Sequence, residues 1–191
     1  MSGTELATHP APTSAWHMYR AMVGVGVMCG LLIVTVYQVT LPIIEQNKAE
    51  ALEEAIFHVL PDATKSTTFR LDGERGFEAF EGHGAGQRLV YAGYDDGGEL
   101  VGLAVEAQGM GYQDVIALIY GYSPKEQTII GIQVLESKET PGLGDKIETD
   151  PDFLQNFERL DVSLAPDGSV LANPIVPVKR GEKTHPWEVD G

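Results

Sequence analysis

The 191-residue chain contains one cysteine, Cys29, and it lies inside an uncharged apolar run. The rest of the chain can therefore form no internal disulfide and can ligate no iron–sulfur cluster through its own thiolates. Any redox chemistry must come from another cofactor. The five histidines, His9, His17, His58, His83 and His185, lack H-x-H or H-E-x-x-H spacing, which argues against a dedicated metal site. No G-x-S-x-G elbow is present, so the common nucleophilic motifs are missing. Positive charge is scarce too: 13 Lys and Arg stand against 28 Asp and Glu, a net charge of −15 that argues against a nucleic-acid partner. There is no internal repeat and no low-complexity segment.

What the chain does have is a long apolar run. Residues 21–41, AMVGVGVMCGLLIVTVYQVTL, are 21 residues without a charge, and a helix of that length crosses about 30 Å of hydrocarbon. A cleaved signal peptide fits less well, because the run follows a 20-residue leader, exceeds a typical h-region and has no A-x-A-like site after it. Met28 before Cys29 also speaks against a lipoprotein anchor. Arg20 precedes the span and Glu45 is the first charge after it, so the positive-inside bias places residues 1–20 in the cytoplasm. Everything after Leu41 is then extracytoplasmic, the periplasm in a Gram-negative cell. The span carries no acidic or basic residue of the kind that ion pathways use. Gly24, Gly26 and Gly30 offer a face for close helix approach to other membrane subunits.

Residues 42–61 read as a connecting helix, with Ala51, Leu52, Ala55, Ile56, Val59 and Leu60 at helical spacing and Pro61 closing it. Residues 62–191 form the remaining domain. RLVYAGY, Asp96-Gly97-Gly98 and ELVGLAVEA predict one hairpin; DVIALIYGY and TIIGIQVLE, joined at Ser123-Pro124-Lys125-Glu126, predict a second. Asp150 followed by Pro151 is a helix start that would bury Phe153, Leu154 and Phe157. The proline-bearing tail reads as irregular or edge strand. The expectation is an α+β domain with helices packed on a mainly antiparallel sheet. Gly82-His83-Gly84-Ala85-Gly86 has neither the leading strand nor the following helix of a phosphate loop, and reads as a plain loop.

One stretch fits neither helix nor strand: residues 139–147, ETPGLGDKI. Its glycines permit unusual backbone angles and close approach to a flat ligand, while Pro141 stiffens the entry. Gly142-Leu143-Gly144 could thus present one apolar side chain and bare peptide groups to a planar ring, with Glu139, Thr140 and Lys146 at its edges. A tight turn between a strand and a helix would look the same.

ESKETPGLGDKI resembles the corresponding loop of the flavin-binding G subunit of Rnf ion-translocating electron-transport complexes, and of the C subunit of the sodium-pumping NADH:quinone reductase. The leader and single span, ALEEAIFHVLPDA, GMGYQDVIALIYG, the loop and DPDFLQNFERL follow that family's order, so the likeness covers roughly Tyr19 to Gly191. The resemblance implies an extracytoplasmic FMN domain acting as an electron relay beside other membrane subunits of the complex and lipid. It implies that Glu139, Thr140, Gly142, Leu143 and Gly144 line the flavin, with Lys146 close by and Tyr112 and Trp187 as aromatic candidates. In that family a threonine of a Ser/Thr-Gly-Ala-Thr motif carries FMN through its phosphate. The motif is absent here; Thr184 to Gly191 resemble the approach to it, so either the attachment residue follows Gly191 or the covalent bond is lacking. Without a basic cradle, a tether is the simpler means of holding a phosphate ester, because it gives an effective concentration on the order of millimolar. A membrane-anchored sensory or binding module, or a structural subunit with no electron-transfer role, is the alternative. An enzyme with a soluble substrate would need an acid–base cluster beside the loop, and none is apparent.

Overall fold

The computed structural model describes residues 15–72, 76–80 and 88–191. The first 14 residues of the leader and the Gly82–Gly86 loop lie outside the described residues. The chain divides into two units, Met1–Asn47 and Lys48–Gly191.

Described residues of the first unit belong to helix α1 (Ala15–Val59). Among the described residues this is the one helix long and apolar enough to cross a membrane, with a window of mean hydropathy 2.1. An apolar surface of this length suits lipid, and Trp16 and Tyr19 suit the headgroup level near its start. The sequence places a boundary at Pro42, whereas α1 runs through it as one helix. Pro42 has no N–H for the Gln38 carbonyl. Nearby, the Thr40 hydroxyl donates to the carbonyls of Val36 (2.8 Å) and Tyr37 (3.2 Å), a side-chain bond that stays within the helix.

The second unit is built on a seven-stranded antiparallel sheet of order β2-β1-β3-β4-β5-β6-β7. The strands are β1 (Lys65–Asp72), β2 (Gly76–Ala79), β3 (Leu89–Tyr94), β4 (Leu100–Met110), β5 (Val115–Ser123), β6 (Thr128–Glu136) and β7 (Leu160–Asp161). Both hairpins expected from the sequence form, β3–β4 and β5–β6. Strands β1 and β2 extend the sheet beyond β3 and were not anticipated. Two short helices, α2 (Lys146–Thr149) and α3 (Pro151–Leu154), run into a 3-10 turn at Gln155–Phe157. The tail adds β8 (Val176–Val178) and β9 (Glu188–Asp190), paired in parallel. The architecture is α+β, as expected.

Strand alternation divides the side chains between two sheet faces. On one face Ala55, Ile56, Val59 and Leu60, the last turns of α1, pack on Leu89, Tyr91, Ala104 and Ile119. The approach is close enough to exclude side chains. A Cβ on Gly121 would overlap the Val59 carbonyl oxygen, and one on Gly102 would lie 2.8 Å from the Leu60 Cδ2. Tyr91 is buried there and its hydroxyl donates to Glu106 Oε1 at 2.7 Å. On the other face Ile129, Leu160 and Val162 form a smaller cluster with Tyr120, Tyr122, Ile132 and Phe157. A groove of about 800 Å³ remains open beside it.

Candidate functional site

Two loops at the Met110–Val115 end of β4 and β5 are fastened together. The first is the turn Gly111–Asp114, closed by the Gly111 N–H donating to the Asp114 carbonyl at 2.9 Å. The second is the glycine loop that leaves β6 and enters α2. Three successive residues of the second grip the first. Lys138 Nζ pairs with Asp114 Oδ2 at 3.1 Å. Glu139 Oε1 accepts from the backbone N–H groups of Gln113 (3.0 Å) and Asp114 (3.3 Å). The Thr140 hydroxyl donates to Gln113 Oε1 at 2.8 Å. The Val115 N–H, and then Lys138, hold the Asp114 carboxyl below its usual range.

The glycine loop is also fixed internally. Leu143 and Gly144 N–H both donate to the Thr140 carbonyl at 3.1 Å, and the Gly142 N–H donates to Asp145 Oδ1 at 2.8 Å. Gly142 has φ +81°, a conformation that favours glycine. The result is a turn with its one large apolar side chain facing outward: Leu143 is 76% exposed. Tyr112, on the neighbouring turn, is 97% exposed. An ordered turn that holds a leucine and a tyrosine in solvent is an unusual use of apolar surface, and it suits a planar apolar ligand.

The eight residues singled out from the sequence thus separate. Tyr112, Glu139, Thr140, Gly142, Leu143 and Gly144 sit on the two fastened loops. Lys146 opens α2; it is exposed and forms no ion pair among the described residues, since Asp150 pairs with Arg180 instead. Trp187 belongs to the tail, where its ring stacks on His185 at 4.5 Å and 4°. Gly111, Gln113 and Asp114 were missed by sequence reading, although GMGYQD lies within the stretch noted for its resemblance.

The tail has a polar hub of its own. Asn156, 4% exposed, donates to the carbonyls of Asp152, Phe153 and Asp190, and its Oδ1 accepts from Lys183 Nζ at 2.9 Å and from the Asp190 N–H at 3.3 Å. Asp150 caps α3 by accepting from the Asp152 N–H, as expected from the sequence. Arg180 bridges Asp150 and Asp152. Phe153, Leu154 and Phe157 are only half-buried; the buried residue of this segment is the polar Asn156. The helix is one turn long, too short to present a continuous apolar face.

The fold defines a class of protein, and two comparisons locate it. The solved structure of Shewanella oneidensis NqrC shares this fold, with a TM-score of 0.53 at 20% identity over 76% of this chain and 83% of that one. The family described as FMN-binding domain matches residues 111–191, a stretch that contains both fastened loops and the tail. At the level of sequence, the chain is 34% identical over 150 residues to the G subunit of the ion-translocating oxidoreductase complex of Methanosarcina acetivorans, covering 77% of this chain and 76% of that protein. It is 30% identical over 128 residues to the protein of that name from Shewanella baltica, covering 63% and 57%. The chain belongs to the family of G subunits of ion-translocating oxidoreductase complexes, and FMN is its cofactor.

Proposed function

We propose that the chain is an electron-relay subunit, carrying covalently tethered FMN outside the membrane and passing electrons between larger neighbours of a membrane-bound ion-translocating oxidoreductase. The observation that carries this reading is the ordered, solvent-facing pair Leu143 and Tyr112 on loops fastened to each other. Leu143, with the Gly142 and Gly144 peptides, supplies apolar stacking surface for the isoalloxazine. Tyr112 supplies an aromatic edge, and Thr140 a polar one. Lys146, whose ammonium has no carboxylate partner among the described residues, supplies positive charge beside the loop. Trp187 stands on the tail, stacked on His185, as a further aromatic candidate. When bound, FMN supplies one-electron redox chemistry, and the protein sets its potential through charge and hydrogen bonds around the ring.

Two basic residues near the tail, Arg180 and Lys183, favour a tether over a phosphate cradle there. Arg180 is engaged by Asp150 and Asp152, and Lys183 by Asn156, so neither is free to hold a phosphate ester. On this reading the phosphate is bonded to a threonine hydroxyl and not held by basic side chains. The distribution of Arg20 and Glu45 around the apolar run supports an N-terminus in the cytoplasm and the second unit in the periplasm of a bacterial inner membrane.

The test is in-gel flavin fluorescence of the denatured native gene product, together with a redox titration of Leu143→Asp in the assembled complex. A fluorescent band at the mass of this chain is expected, and the variant should lose occupancy or shift the midpoint potential. A dark band from cells competent to attach flavin would refute the tether. Unchanged occupancy and potential in the variant would remove the ring from this loop.

A further inference from the structure

The carboxylate of Glu139 joins the fastened loops beside the Lys138–Asp114 pair, and the family resemblance counts it among the residues lining the flavin. Its hydrogen bonds run to the neighbouring turn. Oε1 is taken by two backbone donors of the neighbouring turn, Gln113 at 3.0 Å and Asp114 at 3.3 Å. The side chain lies between two glycines and fills the space of a side chain on each. On Gly144 a Cβ would fall 2.6 Å from Glu139 Cβ and 2.7 Å from Oε2. On Gly111 a Cβ would overlap Oε1. Neither glycine has a left-handed φ. At Gly144 the lack of a side chain therefore serves the passage of Glu139, not a special backbone conformation; at Gly111 it makes room for Glu139 and also for Ile116 Cδ1 (2.6 Å) and the Asp114 carbonyl oxygen (2.9 Å).

We propose that Glu139 is a positioning residue: it makes no contact with the flavin but clamps the Tyr112 turn to the Leu143 loop, and Gly111 and Gly144 are glycine to let it through. Lys138 and Thr140, which grip the same turn on either side, make the clamp a three-residue device. Both bonds from Glu139 go to main chain, so the separation of the two loops is set whatever side chains the turn carries. A bond from N–H to a carboxylate is about twice as strong as a neutral one, which suits a device holding two exposed loops against water.

This inference rests on the flavin lying at Leu143, but the clamp can be tested with and without flavin. In the flavin-free full-length chain, Glu139→Ala should speed amide exchange at Gln113 and Asp114 about ten-fold or more, the loss expected for removing a charged acceptor. Glu139→Gln, whose amide oxygen still accepts, should stay close to wild type. Unchanged exchange in Glu139→Ala would overturn the clamp. In the flavin-loaded complex, Gly111→Ala, whose Cβ would collide with the Glu139 carboxylate, should reproduce the Glu139→Ala phenotype of lower flavin anisotropy and a shifted potential, whereas Glu139→Gln should keep both close to wild type. If Glu139→Gln instead shifted the potential as far as Glu139→Ala while Gly111→Ala did nothing, Glu139 would be a direct flavin contact and the positioning role would fail. If Leu143→Asp were silent while exchange behaved as expected, the clamp would stand and the location of the flavin would fall. Should Glu139→Ala not accumulate, the Glu139→Gln and Gly111→Ala pair decides alone.

Discussion

The two faces of the sheet are closed by different means. Under α1, the face is sealed by regular packing: a helix with apolar residues at 3.6 spacing meets strands that alternate, and glycines let Val59 and Leu60 touch the backbone of the sheet. On the opposite face no long helix lies down among the described residues. Short pieces border it, α2 and α3 of four residues each and a tail of paired strands, and they are held by polar clips at Glu139, Asn156 and Arg180. Burial fixes the first face, whereas on the second a smaller buried cluster at Ile129, Leu160 and Val162 is supplemented by side-chain hydrogen bonds. Apolar burial gives strength without direction, whereas hydrogen bonds give direction at modest net strength. That division puts stability on one side and a precisely posed pair of loops on the other.

The contrast breaks most visibly in the packed face. Leu60 is fully buried, so Leu60→Ala should cost about 3–5 kcal/mol by lost transfer energy and an unfilled cavity. Leu171, bordering the groove and 38% exposed, should cost less than about 1 kcal/mol on the same change. Urea unfolding of the full chain in detergent, followed by far-UV circular dichroism, measures both. Equal losses would mean that the two faces contribute alike.

Asn156 comes next. Asn156→Ala leaves three carbonyls, the Asp190 N–H and Lys183 without their partner, and water can reach only some of them. A loss of roughly 2–3 kcal/mol is expected in the same urea experiment, accompanied by faster amide exchange in β9. If the loss were below about 0.5 kcal/mol, the tail would be held by something other than this hub.

Asn156 also marks where sequence reading stops. The hairpins, the cap at Asp150 and the apolar face of α1 near Val59 were legible because each depends on local periodicity or turn chemistry. ETPGLGDKI was legible as an exception, since two glycines and a proline cannot continue a strand. Asn156 was not, because its five partners come from three segments as much as 34 residues away in sequence. The turn at Gly111–Asp114 was missed for the same reason: Glu139, which explains it, is 25 or more residues distant. β2 escaped notice because an edge strand needs little apolar alternation, and β1 because KSTTFRLD holds only two large apolar residues, Phe69 and Leu71. The span over 21–41 and the connecting helix over 42–61, read separately from the sequence, run together as one helix through Pro42.

A smaller effect separates the faces by pH. Burial, and then the hydrogen bond to and charge of Glu106, push the Tyr91 phenol well above its ordinary value of 10.0. The raised folded value favours the protonated form. Its contribution is therefore fully present below about pH 10 and is lost as pH rises from there toward the folded value. Tyr91→Phe should cost about 1 kcal/mol at neutral pH and flatten the alkaline decline in stability between pH 9 and 11. An equally steep decline in the variant would assign the alkaline limb to other groups.

The smallest expected change in stability belongs to Leu143, and it is the most informative. At 76% exposure its side chain buries little, and the turn beneath it is held by main-chain bonds that do not depend on it. Leu143→Ala should shift stability by no more than about 0.5 kcal/mol, an order of magnitude less than Leu60→Ala. In the flavin-loaded complex the same substitution should raise solvent quenching of the flavin and shift its potential. A residue that costs the fold nothing yet alters the cofactor is present for the cofactor. If Leu143→Ala instead destabilised the chain as much as Asn156→Ala, the loop would be a packing element, and its exposed leucine would need another explanation.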